Sequence, residues 1–514
     1  MNTITLDALR DVLSHHHIQA ALVGDGATPV WGAACDSRLT EPRNLFVCKG
    51  AAFKPAFLKA ALDAGAVAYL CAPEAEAALI QIAPGIPHLV TEDLRRAMAY
   101  VSAAAWGNPD QDLTIIGVTG TKGKTTVTCL MRAMLDSLLP KPCAFLGTHI
   151  VFDGLGSYES SNTTPEAPEL WRYLARAKQA GLTHVVMEVS SQALKYDRTL
   201  GLRLSVGCFL NIGNDHVSPV EHPSFEDYFS SKLRIFAQSA RCVYNLDTDF
   251  LTEVACAASA SALSQGAPLP LTYSLENPQA TVFGGAIEPA PGGMSFVAHT
   301  PQWQASCFLD MLGTHNVEDA LAALACLEAA DIDDPAGLKA LASAYVPGRM
   351  EVLISPGAPI TTIVDYAHND VSYHRFFDTV HEFFPEAYLI ALFGVSGGKA
   401  LNRYKDLPTI ASQEADRLIL TSDDPGPINP AALVDEISAY VAPDVPYDKE
   451  PDRTRARELA WQRAQEHVAA TGQPVVICSL GKANEASIYQ GGQAIPIVPD
   501  PAAFRALMGL PPRP

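Results

Sequence analysis

The spacing of apolar positions changes along the chain, and the changes mark its organisation. Short apolar runs at Ala20–Val23, Leu45–Cys48 and Val67–Cys71 alternate with the helical spacing of Leu6–His17 and Ala56–Ala64, which predicts a small α/β domain. This domain closes at the turn-forming string Trp106-Gly107-Asn108-Pro109. From Leu113 the runs become almost continuously apolar: Ile115–Val118, His184–Val189, Val206–Asn211 and Arg241–Asn245, with helical stretches such as Glu166–Ala180 between them. Strands buried on both faces and joined by helices predict a parallel, doubly wound sheet. The Pro-rich stretch 267–302 reads as a β-containing insertion, Asn316–Ala330 as a helix, and Val346-Pro347-Gly348-Arg349 as a linker. The rhythm then resumes with strands at Thr362–Val364, Tyr388–Phe393, Arg417–Thr421 and Val475–Cys478. Three α/β domains are expected, over residues 1–108, 109–346 and 347–514.

The strand at Ile115–Val118 runs straight into Thr119-Gly120-Thr121-Lys122-Gly123-Lys124-Thr125-Thr126 and then into the amphipathic run Val127–Leu138. Gly120 and Gly123 let backbone amides converge on an anion without Cβ clashes. Lys124 supplies a point charge for β- and γ-phosphates, and the Thr125 hydroxyl is a Mg²⁺ ligand in such loops. A nucleoside triphosphate, ATP, is the expected ligand of Gly120–Thr126. The common phosphate loop has four residues before its Gly-Lys-Thr, whereas only Thr121 and Lys122 separate the two glycines here.

The formal net charge of −20 argues against a nucleic-acid partner, which needs a basic face. No apolar stretch reaches the roughly 18 residues that cross a bilayer, so no membrane insertion is expected. The 11 cysteines are scattered singly, without a Cys-x-x-Cys pair, which points to reduced thiols and a cytoplasmic setting. His15, His16 and His17 read as a helix end and not a metal site, because adjacent helical residues point in different directions.

Two further strand ends carry polar groups. Glu188 closes the run His184–Val189, and Asn214-Asp215-His216 follows Val206–Asn211. Ligands of an open parallel sheet collect at the C-terminal strand ends, where Thr125, Glu188 and His216 meet. Glu188 and His216 are therefore candidate Mg²⁺ ligands.

Eight strings in order carry a resemblance. They are Thr119–Thr126, Glu188-Val189-Ser190-Ser191, Asp215-His216, Tyr228-Phe229-Ser230-Ser231-Lys232, Gly313-Thr314-His315-Asn316, Pro347-Gly348-Arg349, Asp365-Tyr366-Ala367-His368-Asn369 and Gly481-Lys482. The chain resembles the Mur ligases, ATP-dependent amide-bond ligases of peptidoglycan precursor synthesis, over essentially its whole length. Asp36-Ser37-Arg38, Leu45-Phe46-Val47 and Asn162-Thr163-Thr164-Pro165 resemble the branch that adds the third amino acid to UDP-N-acetylmuramoyl-L-alanyl-D-glutamate. The resemblance implies a three-domain architecture with a central phosphate-loop ATPase domain and a C-terminal Rossmann-like α/β domain. It implies ATP and two Mg²⁺ ions as cofactors, with Lys124, Glu188, His216 and Lys232 as catalytic groups. Thr125, Glu188, His216 and Lys232 would line the metal site, the last as N6-carboxylysine, since a carbamate turns a cation into an anionic ligand. Asn316, Arg349, Asp365 and His368 would face ATP. Ser37 would lie in the uridine pocket, and Thr163, Thr164, Ser190 and Arg198 would hold the muramoyl-peptide arm. A monomer is expected.

Members that add meso-diaminopimelate carry Asp-Asn-Pro-Arg, whose arginine grips the distal carboxylate. The matching stretch here is Asp423-Asp424-Pro425-Gly426, which lacks that arginine and adds negative charge. Asp423, Asp424 and Glu485 thus favour L-lysine, with L-ornithine second and meso-diaminopimelate third. Two other readings stand beside this one: a folylpolyglutamate-type ligase on the same fold, and a non-catalytic ATP-binding subunit.

Overall fold

A computed structural model describes the chain except for residues 1–2, 51–52, 149, 161, 214–220, 291, 399 and 513–514. The polypeptide forms two compact units. Met1–Ala286, Phe296–Cys307 and Val317–Ala342 make the first; Ile287–Ser295, Phe308–Asn316 and Ser343–Pro514 make the second.

Among its described residues the first unit holds two large sheets and a two-stranded ribbon of Ile4–Thr5 and Pro29–Val30. The N-terminal sheet runs Ala21–Val23, His88–Val90, Ala68–Cys71, Asn44–Val47, Gly32–Ala34, parallel throughout except for its first strand. The expected helix at Ala56–Ala64 forms over Pro55–Asp63. The first helix ends at His15, earlier than its apolar spacing suggests, because His17 takes φ 58° and His16 stacks on Tyr100 at 3.6 Å. Leu6, Leu45, Leu70, Met98, Ile115, Trp171 and Leu204 share one continuous core, so the N-terminal and central sheets of this unit are packed as one body.

In the central sheet, Ala144–Leu146, His184–Glu188, Thr114–Thr119, Leu204–Phe209, Ser239–Asn245 and Leu271–Ser274 lie side by side and parallel. Ile150–Phe152 and Ser157–Glu159 add an antiparallel edge. Chain order reverses on either side of Thr114–Thr119, and that reversal opens a crevice at its C-terminal end. Register sets Glu188 beside Val118 and Phe209 beside Thr119. The helix Lys124–Leu138 buries Val127, Leu130, Met131, Met134 and Leu135, an apolar stripe at helical spacing. The β structure expected in 267–302 is present as Leu271–Ser274, Val282–Ala290 and Gly293–His299, and a further strand, Gln304–Leu309, follows beyond that stretch.

The second unit is built on a sheet ordered Glu351–Ile354, Ile360–Asp365, Val475–Leu480, Tyr388–Phe393, Arg417–Leu420, Tyr447–Lys449, parallel except for its first strand. Both faces are buried: Ala391, Phe393, Leu418 and Cys478 pack on one side, Ile390, Leu392, Ile419 and Ile477 on the other. This two-sided burial is why the strands read as unbroken apolar runs. The sequence did not mark the helices Leu94–Ala105 and Arg453–Thr471, whose buried faces are mainly alanine or include arginine. All 11 cysteines are free thiols, and among the described residues no helix is long and apolar enough to cross a membrane.

Candidate active site

The phosphate loop is held from the neighbouring strand. Asn211, just past Leu204–Phe209, accepts the Lys122 amide on Oδ1 at 2.9 Å and returns its Nδ2 to the Lys122 carbonyl at 3.3 Å. The Thr121 amide donates to the Asn211 carbonyl at 3.0 Å. Thr121 Oγ1 accepts the Gly213 amide and pairs with the Tyr228 hydroxyl, each at 3.0 Å. Gly123 caps the following helix at φ 87°, and a Cβ there would stand 2.3 Å from Asp319 Oδ1. No other residue fits that position without strain. Thr125 and Thr126, in the first turn of the helix, are buried.

Glu188 is 1% exposed, yet its carboxylate has no salt bridge among the described residues. Neutral donors surround it. Thr125 Oγ1 lies 3.1 Å from both carboxylate oxygens, Thr148 Oγ1 also lies 3.1 Å from both, and the Thr148 amide donates at 2.9 Å. The carbonyl of Glu188 accepts from Thr164 Oγ1 at 2.9 Å, and Thr164 Oγ1 accepts the Ser190 amide at 2.9 Å. Thr163 joins through Thr148, Oγ1 to Oγ1 at 3.3 Å. Arg198 donates to the Thr164 carbonyl at 3.0 Å and faces Glu166 at 3.1 Å, whose other oxygen lies 2.7 Å from Lys49 Nζ. Burial pushes the Glu166 carboxyl up, but Arg198 and Lys49 together hold it below its ordinary value.

On the opposite side of the loop, Lys124 Nζ donates to the Gly120 carbonyl at 2.8 Å and to the Thr121 carbonyl at 3.4 Å. Lys232, 1% exposed, donates to the same Gly120 oxygen at 2.7 Å and lies over the Tyr228 ring at 4.7 Å. Two ammonium groups therefore share one acceptor.

The first unit thus brings Gly120–Thr126, Lys232, Glu188, Thr163, Thr164, Ser190 and Arg198 into one connected arrangement. Ser37 opens a short turn capped by Asp36, whose carboxylate accepts the Arg38 amide at 2.9 Å. His216 lies outside the described residues. Sequence reasoning missed Lys49, Thr148, Glu166 and Asn211. Glu166 does follow the Asn-Thr-Thr-Pro string, and Asn211 ends an apolar run; both are weak signals of a role.

The remaining expected residues belong to the second unit. Asn316 donates to the Leu312 carbonyl at 2.6 Å, and the Arg349 guanidinium lies over the Tyr366 ring at 4.5 Å. Asp365 accepts the amides of Met350 and Ala367 at 2.8 and 2.7 Å, and His368 Nδ1 sits 2.6 Å from the Tyr366 carbonyl. Asp424 Oδ1 meets Lys482 Nζ at 2.9 Å and the Tyr489 amide at 2.8 Å. Glu485 pairs with the same lysine and accepts the Tyr366 hydroxyl at 2.8 Å. Asp423 is different: it is buried against Arg453 at 2.6 Å, within a network that includes Asp500, Arg457 and Ser479. Gly426 takes φ 58°, a backbone that an arginine would hold only under strain.

Comparison with known proteins settles the family. Residues 118–327 match the Mur ligase middle domain, and residues 348–479 match the Mur ligase glutamate ligase domain. The UDP-N-acetylmuramyl-tripeptide synthetase of Latilactobacillus sakei is 34% identical over 93% of this chain and 94% of its own length. The chain belongs to the Mur ligase family. A second member, the UDP-N-acetylmuramoyl-L-alanyl-D-glutamate–L-lysine ligase of Enterococcus faecalis, is 33% identical over 88% of this chain and 90% of its own. Among solved structures, a UDP-N-acetylmuramoyl-L-alanyl-D-glutamate–2,6-diaminopimelate ligase shares 25% identity with a TM-score of 0.64, covering 99% of both chains. Mur ligases are ATP-dependent, ADP-forming amide ligases, and this chain is an enzyme of that class.

Proposed function

We propose that this Mur ligase joins L-lysine to the D-glutamyl γ-carboxylate of UDP-N-acetylmuramoyl-L-alanyl-D-glutamate, in the cytoplasm and as a monomer. The domain limits we assign are 1–108 for the uridine-nucleotide domain, 109–346 for the ATP domain and 347–514 for the amino-acid domain. The observation that carries the reading is the unbroken run of contacts from Lys232 and Gly120, through Thr125, Glu188 and Thr164, to Arg198, Glu166 and Lys49. It links a phosphate loop to a basic, hydroxyl-lined arm suited to an anionic substrate.

In this reading Lys124 and the loop amides hold the triphosphate. Thr125 and Glu188, hard oxygen donors, suit Mg²⁺, with His216 and Lys232 completing two sites. Bound Mg²⁺ would screen the repulsion between the γ-phosphate and the attacking carboxylate. Two cations on the Gly120 carbonyl repel each other, and conversion of Lys232 to its carbamate would replace that repulsion with attraction to Lys124. Thr163, Thr164, Ser190 and Arg198 orient the peptide arm, Ser37 the uridine, and Asn316, Arg349, Asp365 and His368 the nucleotide. The γ-carboxylate attacks the γ-phosphate to give an acyl phosphate and ADP, and the amine of the amino acid then displaces phosphate. Asp424 and Glu485 carry two negative charges against the single positive charge of Lys482, which leaves room for one side-chain ammonium and disfavours a distal carboxylate. Asp423 supports that loop from below through Arg453.

The test is ADP release with the muramoyl-dipeptide nucleotide and each amino acid in turn. We expect turnover that depends on L-lysine, with L-ornithine weaker and meso-diaminopimelate weakest; turnover that depends on no amino acid overturns the reading. A mass increase of about 44 Da on Lys232 in bicarbonate, the mass of added CO₂, is the expected mark of the carbamate.

A further inference from the structure

Thr148 was not marked by any motif, and its contacts are the most two-sided in the site. Its amide is tied to Glu188 Oε1 at 2.9 Å, which fixes the residue beside the carboxylate whatever its hydroxyl does. Gly147 makes this approach possible: a Cβ there would lie 2.6 Å from the Phe145 ring and 3.0 Å from the same carboxylate oxygen. The hydroxyl then has two classes of acceptor, the Glu188 oxygens at 3.1 Å and Thr163 Oγ1 at 3.3 Å. It has one proton to give.

We propose that Thr148 is a positioning residue that couples the cation site at Glu188 to the muramoyl-peptide site at Thr163. The inference rests on the reading above of Glu188 and Thr163. When a cation takes up the Glu188 carboxylate, its oxygens need fewer hydrogen-bond donors, and the Thr148 proton turns to Thr163. Thr163 is then the acceptor in that bond and presents its own proton outward to an oxygen of the peptide arm. In the opposite direction, an arm that accepts from Thr163 draws the Thr148 proton away and leaves the Glu188 oxygens open to the cation. Thermodynamic linkage makes the two effects equal. Hydroxyls that orient a metal-ligating carboxylate typically change metal affinity by about 10–100-fold when removed.

The experiment measures Mn²⁺ affinity of the full chain by electron paramagnetic resonance in the presence of ADP, with and without saturating UDP-N-acetylmuramoyl-L-alanine. The probe is used as its alanine amide, so the peptide arm carries neither the acceptor carboxylate nor a free terminal carboxylate to attract the metal directly. For the unmodified chain we expect Mn²⁺ to bind about fivefold tighter with the probe, the lower end of common coupling strengths. Thr148→Val and Thr163→Val should each bring that ratio to within about twofold of unity, while Thr148→Ser keeps it, because the hydroxyl and not the methyl carries the effect. A ratio near unity in the unmodified chain, or an undiminished ratio in Thr148→Val, overturns the proposal. Should Thr148→Val lose its melting transition, Thr163→Val decides the matter, since it leaves every Glu188 contact in place. Failure of the coupling alone appears as two ligands that bind with independent affinities. Failure of the functional reading appears as no binding of the complete muramoyl-dipeptide nucleotide, and overturns both.

Discussion

Two buried carboxylates in this enzyme stand in opposite company. Glu188, in the first unit, is met by two hydroxyls and an amide and has no cationic partner among the described residues. Asp500, in the second, is 0% exposed and bonded to Arg453, Arg457 and Ser479, so its charge is already balanced. Burial alone therefore does not distinguish the carboxylate proposed to hold a cation from a supporting one; the charge of its partners does. Neutral donors orient a carboxylate and leave its attraction for a cation intact, whereas a guanidinium consumes it.

The strongest way to break the comparison is to remove a partner from the second region. Arg453→Met leaves Asp423 and Asp500 buried with less compensation, and should lower unfolding stability by about 3–5 kcal/mol, measured by denaturant titration with a probe in the second unit. A loss below about 1 kcal/mol would mean that the network contributes no more than a surface pair. Glu188→Gln should do the reverse. The amide keeps the shape and most of the hydrogen bonds, so the melting temperature should hold. The rate of amino-acid-dependent ADP release should fall about a thousandfold, near 4 kcal/mol of transition-state stabilisation. Equal loss of stability and activity would erase the distinction.

These regions were unequally legible. Gly120–Thr126 was readable because all its parts are consecutive and each has one chemical task. Glu188 was readable because a lone acid ending an apolar strand is conspicuous. Thr148 was not: a threonine after a glycine is common, and its meaning comes from Glu188 and Thr163, residues that folding alone brings to it. Lys49, Glu166 and Arg198 come from three separate segments and could not be paired in advance. Arg453 and Arg457 sit in a helix rich in charge, which reads as solvated, although both side chains are about 1% exposed or less. The strands of the large parallel sheets were legible because both-face burial leaves continuous apolar runs; the helices that alanine packs were not, because alanine marks no face.

Asp424 sharpens the comparison from inside the second region. It meets a lysine and an amide, as a supporting residue would, but its side chain is 35% exposed, so it can reach a ligand as well. Asp424→Asn should raise KM for L-lysine about tenfold, about 1.4 kcal/mol, with kcat changed less than twofold. An unchanged KM would move Asp424 to the supporting class with Asp423.

The smallest effect distinguishes the two aspartates of the Arg453 network by pH. Desolvation pushes the Asp423 carboxyl up to about 6 despite Arg453, while Arg453 and Arg457 overcome the burial of Asp500 and hold it below its ordinary value. A carboxyl raised on folding binds its proton more tightly in the folded chain. Its contribution to stability is complete below its ordinary value of 3.8 and is lost as pH rises through about 6. Asp500 acts in the other direction, contributing above its ordinary value of 3.8 and losing that contribution as pH falls. Asp423→Asn has no proton to lose, so its melting temperature minus that of the unmodified chain should rise by about 2–4 °C between pH 4.5 and 6.5, the shift that roughly 1 kcal/mol gives in a unit of this size. Titrating groups that do not interact with Asp423 are common to both proteins and cancel in the difference. A flat difference over that interval would show that Arg453 keeps Asp423 ionised throughout, placing it beside Asp500 as a fully compensated support of the loop that carries Asp424.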